Sequence, residues 1–337
     1  MPLSNPVRIH LPLPISGPIL VTGAAGFIGS HLTERLLRAG HDVVGLDNLN
    51  DFYDPVLKAQ NLAEIHATAA AMRRQFTFYQ ADIRDQAAVL SAVTGCGAVV
   101  HLAAAAGVRP SIEQPLLYQD VNLRGTLHVL EAMRTCGVTR LVFASSSSVY
   151  GNHPKVPFSE ADSVDHPISP YAATKKAGEL LCHTWHHLHH LSVACLRFFT
   201  VYGPRQRPDL AISKFTGMIG RGEAIPLFGD GTTSRDYTYV DDTVQGVLGA
   251  LQWVTTEGRF GVFNLGNAAP VTLRELVAHI EIAKGRKAQV EWLPMQAGDV
   301  ERTCADITLA RAQLGYDPAI PIAEGMARYV AWHRQRR

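Results

Sequence analysis

Ile19-Leu20-Val21-Thr22-Gly23-Ala24-Ala25-Gly26-Phe27-Ile28-Gly29 is the stretch whose reading decides the fold of this chain. The first three residues read as a short buried strand, and glycines 23, 26 and 29 follow at GxxGxxG spacing. Ser30 to Arg38, closed by Gly40, then reads as a helix. Gly23 allows a tight turn, Gly26 lets backbone amides approach a pyrophosphate, and Gly29 lets the helix pack closely on the sheet. The helix N-terminus then faces the anion. A second strand, Asp42 to Leu46, runs into Asp47-Asn48. A carboxylate at that point accepts hydrogen bonds from adenosine ribose hydroxyls and repels a 2'-phosphate, which favours NAD over NADP.

Outward from this unit, strand-like runs recur at Phe76 to Tyr79, Ala98 to Leu102, Arg140 to Ala144 and Val193 to Phe198, separated by helical patterns. The alternation predicts an α/β protein with a Rossmann-type, doubly wound parallel sheet. Ligands then gather at the carboxyl ends of the strands, where Asp82-Ile83, Leu102-Ala103-Ala104 and the serines Ser145 to Ser148 fall. Asp51 to Gln75 reads as a long, mostly helical insertion to which the sequence gives no evident chemistry. After Phe199 prolines and glycines make the pattern irregular. The expected division is a flexible leader at 1–17, a dinucleotide-binding domain at 18–198 plus 238–264, and a smaller substrate-binding portion at 199–237 plus 265–337.

A chain of 337 residues with 47% hydrophobic content has ample core and is not disordered. Its apolar runs fall short of the roughly 18 residues a membrane helix needs. The net charge of +1, without a basic stripe, gives no electrostatic case for nucleic acid. Cys96, Cys136, Cys182, Cys195 and Cys304 are scattered, without a CxxC, as expected of reduced thiols in a cytoplasmic protein. Histidines 183, 186, 187 and 190 share one helical face, yet they lie beyond the cofactor end of their helix and have no acidic partner. They read as a solvated or interfacial face, with no metal expected.

The chemistry is carried by Tyr171 and Lys175, which four-residue spacing stacks one helical turn apart. A phenol titrates near pH 10, and a fixed cation within about 4 to 6 Å favours the phenolate, so the pair can supply a base. Tyr171-Ala172-Ala173-Thr174-Lys175 follows the serine run at Ser145 to Ser148, and further markers are Gly45-Leu46-Asp47-Asn48-Leu49-Asn50 and Leu196-Arg197-Phe198-Phe199-Thr200-Val201-Tyr202-Gly203-Pro204. With the glycine turn, these phrases resemble the extended short-chain dehydrogenase/reductase family over residues 18 to 335. Within it they are most similar to nucleotide-sugar 4-epimerases of the UDP-glucuronate type.

The resemblance implies NAD retained through a full cycle, with Tyr171 as base, Lys175 on the nicotinamide ribose and Ser146 assisting. Implied cofactor contacts are Gly23, Gly26, Phe27, Ile28, Gly29, Asp47, Asn48, Asp82, Ile83, Leu102, Ala103, Ala104, Asn122, Tyr171, Lys175 and Phe198. For a UDP-sugar, candidates are Ser146, Ser147, Ser148, Tyr171, Thr200, Arg207, Lys214, Arg235 and Asp299. Sister dehydratases and decarboxylases carry acidic residues where Ser146 to Ser148 stand, so an epimerase is expected. A UDP-glucose or UDP-N-acetylglucosamine 4-epimerase, a UDP-glucuronate decarboxylase and a catalytically silent NAD-binding regulator are the alternatives. Two departures stand out: glutamine is usual near Ala104 or Ala105 in uronate epimerases, and arginine where Gln296 stands in many hexose epimerases. The apolar segments around 114–135 and 168–190 need a second cover, and in this family they pair across a homodimer.

Overall fold

A computed structural model describes residues 9, 11–294 and 301–335. Its core is a seven-stranded, wholly parallel sheet. In chain order the first six strands are β1 (Ile19–Thr22), β2 (Val43–Asp47), β3 (Phe76–Gln80), β4 (Ala98–His101), β5 (Arg140–Ser146) and β6 (Ser192–Phe198), with Phe260–Leu265 as the seventh. Across the sheet the order is β3, β2, β1, β4, β5, β6 and Phe260–Leu265. The chain winds one way from β1 to β3 and the other way from β4, so the switch point lies between β1 and β4. Ile19 pairs with Val43 on one side and Ala98 on the other, in register. All residues of β1, β2 and β4 are buried, as expected of strands covered on both faces.

Two apolar clusters line the two faces of this sheet, one built around Ile19, Val21 and Leu36, the other around Leu20, Leu46 and Val99. Alternate residues of one strand thus feed opposite helix layers. The strand readings hold to within a residue or two. β5 continues through Ser146 because Ser145 and Ser146 still pair with Arg197 and Phe198. The helix after the glycine turn begins at Phe27, three residues earlier than its apolar pattern suggested. Glycine and small residues at a helix start carry little periodic signal.

The insertion forms one long helix, Pro55–Met72, capped by the Asp54 side chain on the Val56 amide at 2.9 Å. Beyond β6 the chain builds a three-stranded sheet from Thr200–Tyr202, Ser234–Tyr239 and Pro270–Thr272, and a parallel pair from Ala224–Phe228 and Gln289–Leu293. The first of these strands, Thr200–Tyr202, follows directly on the carboxyl end of β6. Within the expected leader, residues 11–17 pack on the domain. Leu13 and Ile15 are buried, and the Leu13 amide donates to His41 Nε2 at 2.9 Å. The fit is close: a Cβ on Gly97 would lie 1.9 Å from the Ser16 carbonyl, and one on Gly17 2.8 Å from the Gly95 carbonyl. Among the described residues no helix is long and apolar enough to cross a membrane.

Candidate active site

The glycine turn sits at the switch point. Gly23 has φ 72°, and its amide donates to the Leu46 carbonyl at 2.7 Å. A Cβ on Gly29 would lie 2.0 Å from the Gly23 carbonyl, so helix and turn touch backbone to backbone there. The first turn of Phe27–Arg38, carrying Phe27, Ile28 and Gly29, therefore presents amide donors at the end of β1, where an anionic pyrophosphate fits. Asp47 ends β2 with a buried carboxylate that accepts the amides of Ala25 (3.2 Å) and Leu49 (2.9 Å). Burial pushes its pKa up, against those hydrogen bonds and the charge of Lys58.

Asn48 donates to Asp82 Oδ2 at 2.8 Å, and the Arg84 guanidinium, hydrogen-bonded to the same carboxylate, pulls Asp82 down to about 2. Ile83 points its side chain into the core, against the place where Gly125 lacks a Cβ. The amides of Leu102 and Ala103 donate to the Thr22 hydroxyl, both at 3.1 Å, closing the β4 end over the glycine turn and carrying Ala104 with it. Asn122 brackets Ala105 with both side-chain atoms and also donates to the Thr174 hydroxyl at 3.0 Å. Its side chain thus ties the 102–106 turn to the helix of Tyr171.

That helix, Pro170–His189, starts where Ser169 caps the Ala172 amide at 3.1 Å and Pro170 occupies the first turn. The cap fixes Tyr171 in the first turn, facing the end of β5. The Ser146 hydroxyl hydrogen-bonds the Tyr171 phenol and also accepts the Ser148 amide at 3.2 Å. Lys175 Nζ donates to the Ala144 carbonyl at 2.7 Å and lies 5.9 Å from the centre of the Tyr171 ring.

The Tyr171 pKa departs from that of a free phenol. Burial raises that pKa, and the opposing influences are the Ser146 hydrogen bond and the Arg207 charge. Burial lowers Lys175 itself, to about 8, because its ammonium has exchanged water for one carbonyl. Below the pair, Glu179 holds Arg197 through two bonds of 2.9 Å and accepts the Ser145 hydroxyl at 2.6 Å, all three residues being buried. This locks the helix to β5 and β6, so Tyr171 and Ser146 keep their register. Phe198 sits level with Ser146 on the neighbouring strand, and Thr200 starts the next one.

A cavity of about 240 Å³ lies between Arg109 and the smaller portion. Lys214 and Arg235, both expected, line it together with Arg109, Asp209, Phe228 and Tyr237. Arg109 stacks over the Phe228 ring at 5.5 Å. Three cationic side chains around a partly aromatic cavity suit a nucleoside diphosphate. Arg207 reaches the Tyr171 side of the site, and its guanidinium is held by Asp209 at 3.0 and 2.8 Å. Ser147 and Ser148 form the short turn after β5. Asp299 and Gln296 lie outside the described residues.

Sequence reasoning missed Arg109, Phe228 and Tyr118. Tyr118 packs edge-on against Tyr171 at 6.2 Å and donates to the Ala106 carbonyl at 2.9 Å. Their only signal was position: Arg109 follows the β4 turn by a few residues, Tyr118 lies in the apolar segment 114–135, and Phe228 lies in the irregular substrate-binding portion. The histidine face packs partly on Phe260, with His183 edge-on at 4.9 Å, and His186 bonds the Leu191 carbonyl at 2.7 Å. Among the described residues no group of three or more His, Cys, Asp or Glu side chains is placed to hold a metal.

The sequence profile of the NAD dependent epimerase/dehydratase family matches residues 19–266. A UDP-glucuronate 4-epimerase of Thermodesulfobacterium geofontis is 44% identical over 323 residues, 95% of this chain and 97% of that protein. The structure of a UDP-glucuronic acid 4-epimerase from Bacillus cereus, in complex with UDP-glucuronic acid and NAD, superposes with a TM-score of 0.87 at 34% identity. It covers 95% of this chain and 100% of that one. A UDP-glucose 4-epimerase from Thermotoga maritima with UDP-glucose gives a TM-score of 0.85 at 32% identity, covering 95% and 99%.

Proposed function

Since this chain belongs to the NAD dependent epimerase/dehydratase family, we propose that it is an NAD-dependent UDP-sugar 4-epimerase that interconverts UDP-glucuronate and UDP-galacturonate. The observation that carries this reading is the cluster of Ser146, Tyr171 and Lys175 at the end of β5, beside a cavity edged by Arg109, Lys214 and Arg235. The backbone cradle at Gly23 to Gly29, which an added Cβ would fill, fits a dinucleotide, and Asp47 fits its adenosine ribose. Lys175 would hold the nicotinamide ribose. NAD supplies the two-electron acceptor and donor for carbon 4.

The chain's own residues do the rest. Tyr171 takes the proton from the sugar 4-hydroxyl as the carbon is oxidised, and gives it back when the opposite face is reduced. Ser146 fixes the oxygen between the two steps, and positioning supplies much of the acceleration. A 4-keto uronate loses carbon dioxide if its carboxylate aligns with the carbonyl π system. Ser147, Ser148 and Thr200 offer neutral hydroxyls, and Arg207 a cation, to hold that carboxylate out of line. The three serines put no acid beside the sugar, which disfavours dehydration and decarboxylation.

A neutral-sugar reading is supported by Ala104 and Ala105, where uronate epimerases usually carry glutamine. Incubating the purified protein with UDP-glucuronate, UDP-glucose and UDP-N-acetylglucosamine in turn, and resolving the products, tests the choice. Conversion of the uronate alone supports it, and turnover of a neutral sugar in its place overturns it.

A homodimer completes the proposal. Leu116, Leu180 and Leu188 stand largely exposed on the helices Pro115–Gln119 and Pro170–His189, which supports pairing of these helices with a second copy. All five cysteines are free thiols, which supports a reducing, cytoplasmic setting. The division of the chain at residues 198, 238 and 264 is likewise proposed, supported by the return of Val240–Trp253 and Phe260–Leu265 to the main sheet.

A further inference from the structure

The insertion after β2, to which the sequence gave no chemistry, touches the substrate side of the site at two places. Phe52 lies with its ring 5.1 Å from the Arg207 guanidinium carbon. Farther along, Glu64 on the helix Pro55–Met72 pairs with Arg205, whose side chain is buried and pairs at the same time with Glu34 on the glycine-turn helix. Arg205 adopts φ 64°, a left-handed conformation that a non-glycine residue holds only when its neighbours fix it. His31, also on that first helix, bonds the Pro204 carbonyl at 2.9 Å. The loop 203–209, which carries Arg207, is thus held at Pro204 and Arg205 by His31, Glu34 and Glu64 and met at Arg207 by Phe52.

The insertion is itself fixed to the cofactor side. Lys58, buried, donates to the Asn50 carbonyl at 2.9 Å and to its Oδ1 at 2.7 Å, and lies 4.9 Å from the centre of the Tyr53 ring. Asn61 donates to the Ala25 carbonyl within the glycine turn at 2.9 Å. The contacts therefore run unbroken from the dinucleotide cradle, through the insertion, to the cation beside Tyr171.

We infer that residues 50–64 are a specificity element: Phe52 and Glu64 are positioning residues that aim Arg207 at an anionic substituent on the sugar. The inference rests on the reading of Arg207 as the partner of a sugar carboxylate. Asp209 holds the guanidinium through two hydrogen bonds, the geometry a substrate carboxylate offers. The Phe52 ring beside the guanidinium restrains the Arg207 side chain by cation–π contact without neutralising it. An exchange of carboxylates at a pre-aimed guanidinium selects a uronate over a neutral hexose.

The test compares Phe52→Leu, Glu64→Gln and Arg207→Gln in the NAD-loaded protein. It reads KM and kcat for UDP-glucuronate, the inhibition constant of UDP-glucose against that reaction, and bound NAD. Phe52→Leu should raise the KM for UDP-glucuronate by about fivefold, the upper end for a largely exposed cation–π contact. The inhibition constant of UDP-glucose, kcat and NAD content should stay within about twofold. Glu64→Gln should move the same constants in the same direction by less. If Phe52→Leu weakens both sugars alike, or neither, while Arg207→Gln selectively weakens the uronate, the role of the insertion is overturned and that of Arg207 survives. If Arg207→Gln leaves uronate binding intact, the assignment of the carboxylate partner falls first.

Discussion

The cofactor end and the sugar end of this site are built by different means. At the cofactor end the proposed ligand surface is largely backbone, a glycine turn and a helix start, braced by the Thr22 hydroxyl, which accepts the amides of residues 102 and 103. At the sugar end it is side chains, with Arg109, Lys214 and Arg235 drawn from three distant segments around one cavity. Backbone recognition is set by a few residues adjacent in sequence and tolerates almost no added atoms. Side-chain recognition is spread over the chain, and each member contributes separately. Tyr171 stands at the seam, placed by its own helix cap and by Ser146.

The contrast predicts how substitutions rank. Tyr171→Phe, at the seam, should lower kcat by roughly 10³-fold, within the range for removing a general base, while bound NAD and the KM for the sugar hold. Quantifying NAD released on denaturation beside turnover checks it; unchanged turnover would remove the phenol from the chemistry. Gly29→Ala should strike the cofactor end as a whole. Its Cβ would sit 2.0 Å from the Gly23 carbonyl, so the turn must open, with a cost of about 1–3 kcal/mol in stability and loss of most bound NAD. Full NAD occupancy in a well-folded variant would contradict the backbone account.

Arg235→Gln should act on the sugar end alone. KM for the UDP-sugar should rise by about tenfold, as for one charge-assisted hydrogen bond, with NAD content unchanged; a parallel loss of NAD would blur the two regions.

The smallest effect concerns pH. Burial lowers Lys175 to about 8 in the folded protein, whereas an unfolded lysine titrates near 10.4. Between those values the unfolded chain binds more protons at this residue, so its contribution to stability rises with pH. Lys175→Met should therefore be favoured over the wild type more at pH 7 than at pH 9.5 in urea unfolding of the NAD-free protein. A constant difference would show that the ammonium is not strained by burial.

Legibility in the sequence follows the same divide. The glycine turn, Asp47 and the Tyr171/Lys175 spacing were readable because each is short-range geometry on one strand or helix. The sheet strands were readable because parallel strands buried on both faces are continuous apolar runs, as in Val99-Val100. Arg109 over Phe228 and Phe52 over Arg207 join residues more than a hundred positions apart, and local pattern carries no trace of such pairs. Lys175 shows the same divide: its spacing from Tyr171 was legible, but its hydrogen bond to Ala144 across the helix–strand interface was not.

The most direct test of the central claim is to follow UDP-glucuronate deuterated at carbon 4 through one complete conversion, with the product resolved by mass and NMR. The account predicts UDP-galacturonate that keeps its carboxylate and its deuterium at carbon 4, since the same hydrogen leaves and returns while Tyr171 handles only the hydroxyl proton. Deuterium washed out into solvent, or a pentose formed with release of carbon dioxide, would contradict it.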